Sequence, residues 1–141
     1  MLFVYIYNIV LPKGFFMFEL DFSKGDGLIP AIAQDHQTNE VLMLAYISKE
    51  SWEETLKSGY ATYYSRSRRK LWKKGESSGN LQKVHQILVD CDRDTVIFKI
   101  EQIGGAACHT GHRSCFYTET DGVSSKELSA PLFDPEKVYK G

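Results

Sequence analysis

The chain has 141 residues, 43% of them hydrophobic and 25% charged, with a formal net charge of −1. A single domain of this length buries roughly 68–70% of the surface its unfolded form exposes, so neither disulfides nor metal are needed merely to fold. The near-zero charge excludes a global attraction to nucleic acid or an anionic membrane. Three cysteines cannot all pair within one chain, which disfavours a secreted disulfide framework and favours a reducing, cytoplasmic setting.

Residues 1–16 read as an N-terminal extension. Met1 to Pro12 is apolar and uncharged, lacks the basic leader of a signal peptide and is too short to span a bilayer. It is read as a poorly ordered stretch or an upstream start, with Met17 as the beginning of the domain. The alternative is an edge strand over Phe3-Val4-Tyr5-Ile6-Tyr7, which is rich in β-formers. The domain itself is assigned to residues 17–118, and residues 119–141 to a polar surface tail.

Within the domain, Gly25-Asp26-Gly27 marks a turn. Leu28 to Gln34 and Val41 to Tyr46 then read as two buried strands joined by the polar loop Asp35 to Glu40, in which His36 is expected to be solvated. Ser48 is placed to cap a helix that presents Trp52 and Leu56 on one face and ends at Gly59. Tyr60 to Ser65 is β-like, with Ala61, Tyr63 and Ser65 on one face and Thr62 and Tyr64 on the other. The next nine residues carry Arg66, Arg68, Arg69, Lys70, Lys73 and Lys74 with no acid. Such a run reads either as a solvated loop or, with Trp72 inside it and a Ser/Gly-rich end, as a phosphate-binding segment. Val84 to Val89 and Thr95 to Ile103 complete the strands, joined at Asp92-Arg93-Asp94. The second puts Val96, Phe98 and Ile100 on one face. Together these predict an α+β fold: a single compact domain rich in antiparallel sheet, with few helices.

The chemistry is concentrated between Asp90 and Cys115, a span of 26 residues that holds all three cysteines. Zinc prefers thiolate and imidazole ligands, and three protein ligands would leave a fourth position for water, as in a catalytic site. The spacing of Cys91, Cys108 and Cys115 lacks paired Cys-x-x-Cys knuckles, so buried free thiols stand as the other reading. If Asp90 to Asp94 is extended, Asp90, Asp92 and Asp94 share a face with Cys91 on the other, and three hard carboxylates suit magnesium. An acidic turn in water is the alternative. His109, beside Cys108, has the chemistry of a fourth ligand or a general acid/base, and His112 the same capacity. His85, in a strand of mixed character, is expected to be packed or half-exposed.

From about Phe18 to Tyr117 the chain resembles the phosphoribosyl-AMP cyclohydrolases of histidine biosynthesis. The resemblance is carried by Gly25-Asp26-Gly27-Leu28-Ile29-Pro30-Ala31, Val41 to Tyr46, Thr62 to Arg68, Leu71-Trp72-Lys73-Lys74-Gly75-Glu76-Ser77-Ser78-Gly79, Asp90 to Asp94, Gly104 to Gly111 and Cys115-Phe116-Tyr117, in that order. It implies hydrolysis of the bond between nitrogen 1 and carbon 6 of the adenine ring of 1-(5-phosphoribosyl)-AMP by zinc-bound hydroxide. It implies zinc at Cys91, Cys108 and Cys115, magnesium at Asp90, Asp92 and Asp94, and an intertwined homodimer in which Cys91 comes from the partner subunit. His109 falls at the family's histidine beside the zinc cysteine and is assigned proton transfer; His112 is treated as a bystander. Arg66, Arg68 and Lys74 are candidates for the two substrate phosphates, Trp72 for packing near base or ribose, and Glu76 for positioning water or a ribose hydroxyl. The family pattern lacks residues 1–16, and the chain is too short beyond Tyr117 for the pyrophosphohydrolase domain of some members, so a single catalytic step is expected, with no nucleic acid and no membrane as partner.

Two rivals remain at this level. One is a zinc-containing module binding single-stranded nucleic acid through the basic run, Tyr63, Tyr64 and Trp72; the acids at Asp90 to Asp94 oppose it. The other is a zinc nucleotide deaminase, whose His-x-Glu and Pro-Cys-x-x-Cys pattern does not occur.

Overall fold

The computed structural model describes residues 18–138. The N-terminal extension and the candidate start at Met17 lie outside the described residues.

Six strands form one sheet: β1 (Ile29–Asp35), β2 (Val41–Ile47), β3 (Thr62–Ser65), β4 (Lys70–Lys73), β5 (Gln82–Val89) and β6 (Val96–Gln102), in the order β4-β3-β2-β1-β6-β5. Neighbours run antiparallel except β1 and β6, which are parallel. The sheet is therefore mixed: four of its five strand pairings are antiparallel, as expected of a fold rich in antiparallel sheet, and the parallel β1–β6 pairing is what the sequence did not report. Periodicity reports which face of a strand is buried but carries no information on strand direction.

The sheet curls. Just before β3, the Ala61 N–H donates to the Gln82 carbonyl and the Val84 N–H to the Gly59 carbonyl, 2.9 Å each, so the chain entering β3 also pairs with β5. The alternate residues Ile29, Ala31 and Ala33 of β1 and Val96, Phe98 and Ile100 of β6 fill the interior with Leu42, Ile47 and Tyr63. Fully burying a side chain such as Phe98 contributes roughly 1.5–3 kcal/mol. The Tyr63 hydroxyl enters this core only because Gln82 Oε1 accepts from it at 2.6 Å, while Gln82 Nε2 donates to Gln102 Oε1 at 2.9 Å. Around Tyr63 the face assignment was too simple, since Ala61, Thr62 and Tyr63 are all buried where helix and sheet meet.

Helix α1 (Lys49–Ser58) connects β2 to β3 as expected. Ser48 accepts from the Ser51 N–H, Ser51 answers at the Ser48 N–H, and Gly59 ends the helix at φ 80°, where a side chain would be strained. Its buried face carries Trp52 and Leu56, and the Trp52 ring lies parallel to Phe98. The basic run is not a plain loop. Its second half is β4, paired with β3 from Thr62–Lys73 to Ser65–Lys70, while residues 66–69 turn and Lys74 opens the next turn. The tail also has more order than its polarity suggests: β7 (Thr118–Thr120) pairs with β8 (Ser125–Glu127), and a short helix α2 spans Pro135–Val138.

Candidate active site

The segment after β6 turns back on itself at Gly104 and Gly105, both at positive φ. A tight loop follows. The Ala107 N–H donates to Arg113 O, Cys108 N–H to His112 O and Gly111 N–H to Cys108 O. The Cys115 N–H then bonds the Leu42 carbonyl at 2.7 Å and the Ser114 hydroxyl the Val41 carbonyl at 2.8 Å, fixing the end of the loop to β2. This folding brings the Cys108 and Cys115 thiols into mutual contact.

Their ionisation is split. Burial works against the Cys108 thiolate, but the Thr110 hydroxyl (3.0 Å from Sγ), the Thr110 N–H and the Cys115 thiol outweigh it and hold Cys108 below the ordinary thiol range. Desolvation and the adjacent Cys108 push Cys115 up to about 12. Two sulfurs in contact do not both ionise without a cation between them, and a soft dication is the ion this donor pair fits. Beside them the buried Lys74 ammonium is pulled below its ordinary range by desolvation, against the opposing pull of Cys115 and Cys108.

Cys91 is exposed and does not join the pair. Among the described residues, two groups of three His, Cys, Asp or Glu side chains bring their ligand atoms within 4.8 Å of one another, and neither contains a cysteine. One is Asp90, Asp92 and Asp94. These carboxylates meet as expected, though not through strand alternation: the segment is a turn, with Arg93 at φ 62° and Asp90 Oδ1 accepting from the Asp94 and Thr95 N–H groups. The Lys24 ammonium reaches Asp92 at 3.1 Å and Asp94 at 3.2 Å, and the two contacts push it up to about 12. A hydrogen bond shared between the two carboxylates lowers Asp92 and raises Asp94. A crowded, acceptor-rich set that recruits a lysine fits a hard divalent cation.

Next to the thiols lies a cleft of about 660 Å³. Its wall includes Arg68, Lys70, Trp72, Lys73, Lys74 and Glu76 from the basic segment, together with His109 and Cys115. Five of the expected site residues around substrate and proton transfer (Arg68, Trp72, Lys74, Glu76 and His109) thus share one cavity. Arg66 does not line it; its guanidinium sits 4.0 Å over the Tyr46 ring. His112, read as a bystander, is buried. Its Nδ1 lies 3.0 Å from the Thr110 hydroxyl and its ring stacks on Tyr117 at 3.5 Å.

Sequence reading missed Thr110 and Lys24. Thr110 stands inside the Cys108-His109-Thr110 motif and was within reach of it. Lys24 meets its aspartates across about 70 residues of chain, which no local pattern reports.

A family model for phosphoribosyl-AMP cyclohydrolase matches residues 43–117, the stretch that carries the cleft, the aspartates and all three cysteines. Proteins with that name are similar over nearly their whole length. That of Desulfatibacillum aliphaticivorans is 62% identical over 124 residues, covering 88% of this chain and 99% of its own. That of Desulfotalea psychrophila is 61% identical, covering 87% and 98%. The chain belongs to the phosphoribosyl-AMP cyclohydrolase family. It is a hydrolase of histidine biosynthesis, and the protein of that name from Methanospirillum hungatei is 62% identical over 114 residues, covering 81% of this chain and 84% of its own. Among the described residues of this cyclohydrolase, no helix is long and apolar enough to cross a membrane.

Proposed function

We propose that this cyclohydrolase opens the adenine ring of 1-(5-phosphoribosyl)-AMP between nitrogen 1 and carbon 6, as a homodimer whose two sites are shared between subunits. The observation that carries the reading is the contact of Cys108 with Cys115 at the wall of a basic cleft, while Cys91 stands apart in the same chain. Zinc would be held by Cys108 and Cys115 with Cys91 of the partner subunit, and when bound it makes water a stronger acid, so that the nucleophile is available near neutral pH. Magnesium would be held by Asp90, Asp92 and Asp94.

The chain's own groups do the rest. Arg68 and Lys74, with Lys70 and Lys73 beside them, offer positive charge to the two phosphates of the substrate. Trp72 is partly buried against Tyr63, ring centroids 5.2 Å apart, and gives base or ribose a fixed apolar wall. Glu76 orients water or a ribose hydroxyl. His109, exposed at the cleft, takes the proton released as water adds to carbon 6 and returns it to nitrogen 1 as the carbon–nitrogen bond breaks.

The test is to mix the zinc-loaded protein with phosphoribosyl-AMP and follow ring opening by ultraviolet absorbance, with and without a zinc chelator. Opening that the chelator stops and zinc restores is expected. Opening that persists after zinc is removed, or none at all with zinc and magnesium supplied, contradicts the proposal.

A further inference from the structure

The second group of three potential ligands lies outside the cleft and the cysteine loop. His36 directly follows β1, and its N–H donates to the Ile100 carbonyl at 2.9 Å, which sets it beside Glu101 on β6. His85 is the extra residue where the β5–β6 register shifts between Val84 and Gln86, and such a bulge re-aims the side chain it carries. The outcome is two imidazole rings stacked at 4.0 Å and parallel within 1°, with the Glu101 carboxylate 3.6 Å from His85 Nε2. That separation is too long for a hydrogen bond, so the carboxylate approaches the ring pair without being tied to it. One ligand atom from each of the three lies within 4.8 Å of the others.

An imidazole offers a ring-nitrogen lone pair to a metal, and the stack sets two of them side by side. Two imidazoles and a carboxylate are a ligand set for a first-row divalent metal of the zinc, nickel or copper kind, and differ in softness from both the thiols and the three aspartates. Zinc holds nitrogen and oxygen at about 2.0–2.2 Å, so ligand atoms around one tetrahedral ion stand about 3.3 Å apart. His85 and Glu101 are exposed and His36 is half-buried, so small side-chain rotations that splay the rings open would bring the three to that spacing, and solvent completes the shell.

We propose that His36, His85 and Glu101 form a surface site for a divalent transition metal, separate from the cysteine and aspartate groups. An ion there ties the β1–β2 turn to the β5–β6 pair, joining three segments that meet at this end of the sheet. An ion that binds only the folded form also stabilises it by mass action.

The experiment is a calorimetric titration of Zn²⁺ into untagged protein already zinc-loaded and desalted, in excess Mg²⁺ so that the aspartates are occupied. One further zinc per chain is expected, with a rise in melting temperature. In His36→Gln and His85→Gln the affinity for that ion should drop at least tenfold, since loss of an outer-shell partner alone costs about 10–100-fold. Both substituted residues reach solvent, and the melting temperature without added zinc checks that the variants fold. No further equivalent in the parent protein, or an equivalent that survives both substitutions, overturns the proposal.

Discussion

At the scale of single residues, the proposed reading gives the cysteine loop two separate tasks, holding a metal and moving a proton. Thr110 uses one hydroxyl to touch both Cys108 Sγ and His112 Nδ1, 3.0 Å each, so its proton and lone pairs connect a buried histidine to a thiol. In Thr110→Val that donor is lost. Zinc affinity should drop about 10–100-fold, the usual cost of removing a partner that orients a metal ligand. His109→Ala should do the reverse: zinc retained, as measured by metal analysis, and turnover slowed by about 10²–10⁴-fold, the range of general acid–base catalysis. Loss of zinc in His109→Ala would make His109 a ligand instead. The sequence showed the residue types and the motif that holds them. It did not show that His112 is buried, because a polar residue next to a glycine reads as a loop residue until packing is known.

At the scale of elements, the β1–β2 hairpin is the platform on which the cysteine loop rests. Asp35 is buried at its turn. Its carboxylate accepts from the Gln37 and Thr38 N–H groups and the Thr38 hydroxyl, and it faces the Arg113 guanidinium at 3.3 Å. Arg113 also donates to Glu40 at 2.7 Å, tying the cysteine loop to the same turn. Burial pushes the Asp35 carboxyl up, but the Thr38 and Gln37 hydrogen bonds and Arg113 prevail, and it ends below its ordinary range. Its contribution is thus complete above the unfolded value of about 3.9 and is lost as pH falls through the lower folded value. Asp35→Asn should cost about 1–3 kcal/mol at neutral pH. In urea unfolding, the gap between parent and variant should close below about pH 4. A gap that widens in acid would contradict the assignment. Most elements here were legible: both strands of the hairpin, α1 with its caps, and the alternating face of β6 follow from period and capping chemistry. β4 was hidden, because its lysines read as solvated charge and only pairing with β3 makes them a strand.

At the scale of the whole molecule, the folded chain keeps its three cysteines apart in two places. Cys108 and Cys115 meet at the cleft, Cys91 stands exposed beside the aspartate turn, and the parallel pairing of β1 with β6 is what puts that turn at its end of the sheet. Direction of strand pairing and assembly between subunits are long-range properties that a local pattern does not carry, so resemblance to the family, not spacing, was the source of the shared-site expectation. The tail is part of the same design: Leu132 N–H donates to the Gly111 carbonyl at 2.7 Å, so a polar segment read as surface packs on the cysteine loop. The most direct measurement mixes two inactive variants, Cys91→Ser and Cys108→Ser, allows their subunits to exchange, and follows ring opening of phosphoribosyl-AMP with zinc present. If each zinc site draws on both subunits, half of the dimers are mixed and each has one intact site, so activity should return to roughly a quarter of the parent value. Activity that stays at zero after exchange has been verified would contradict a zinc site shared between subunits.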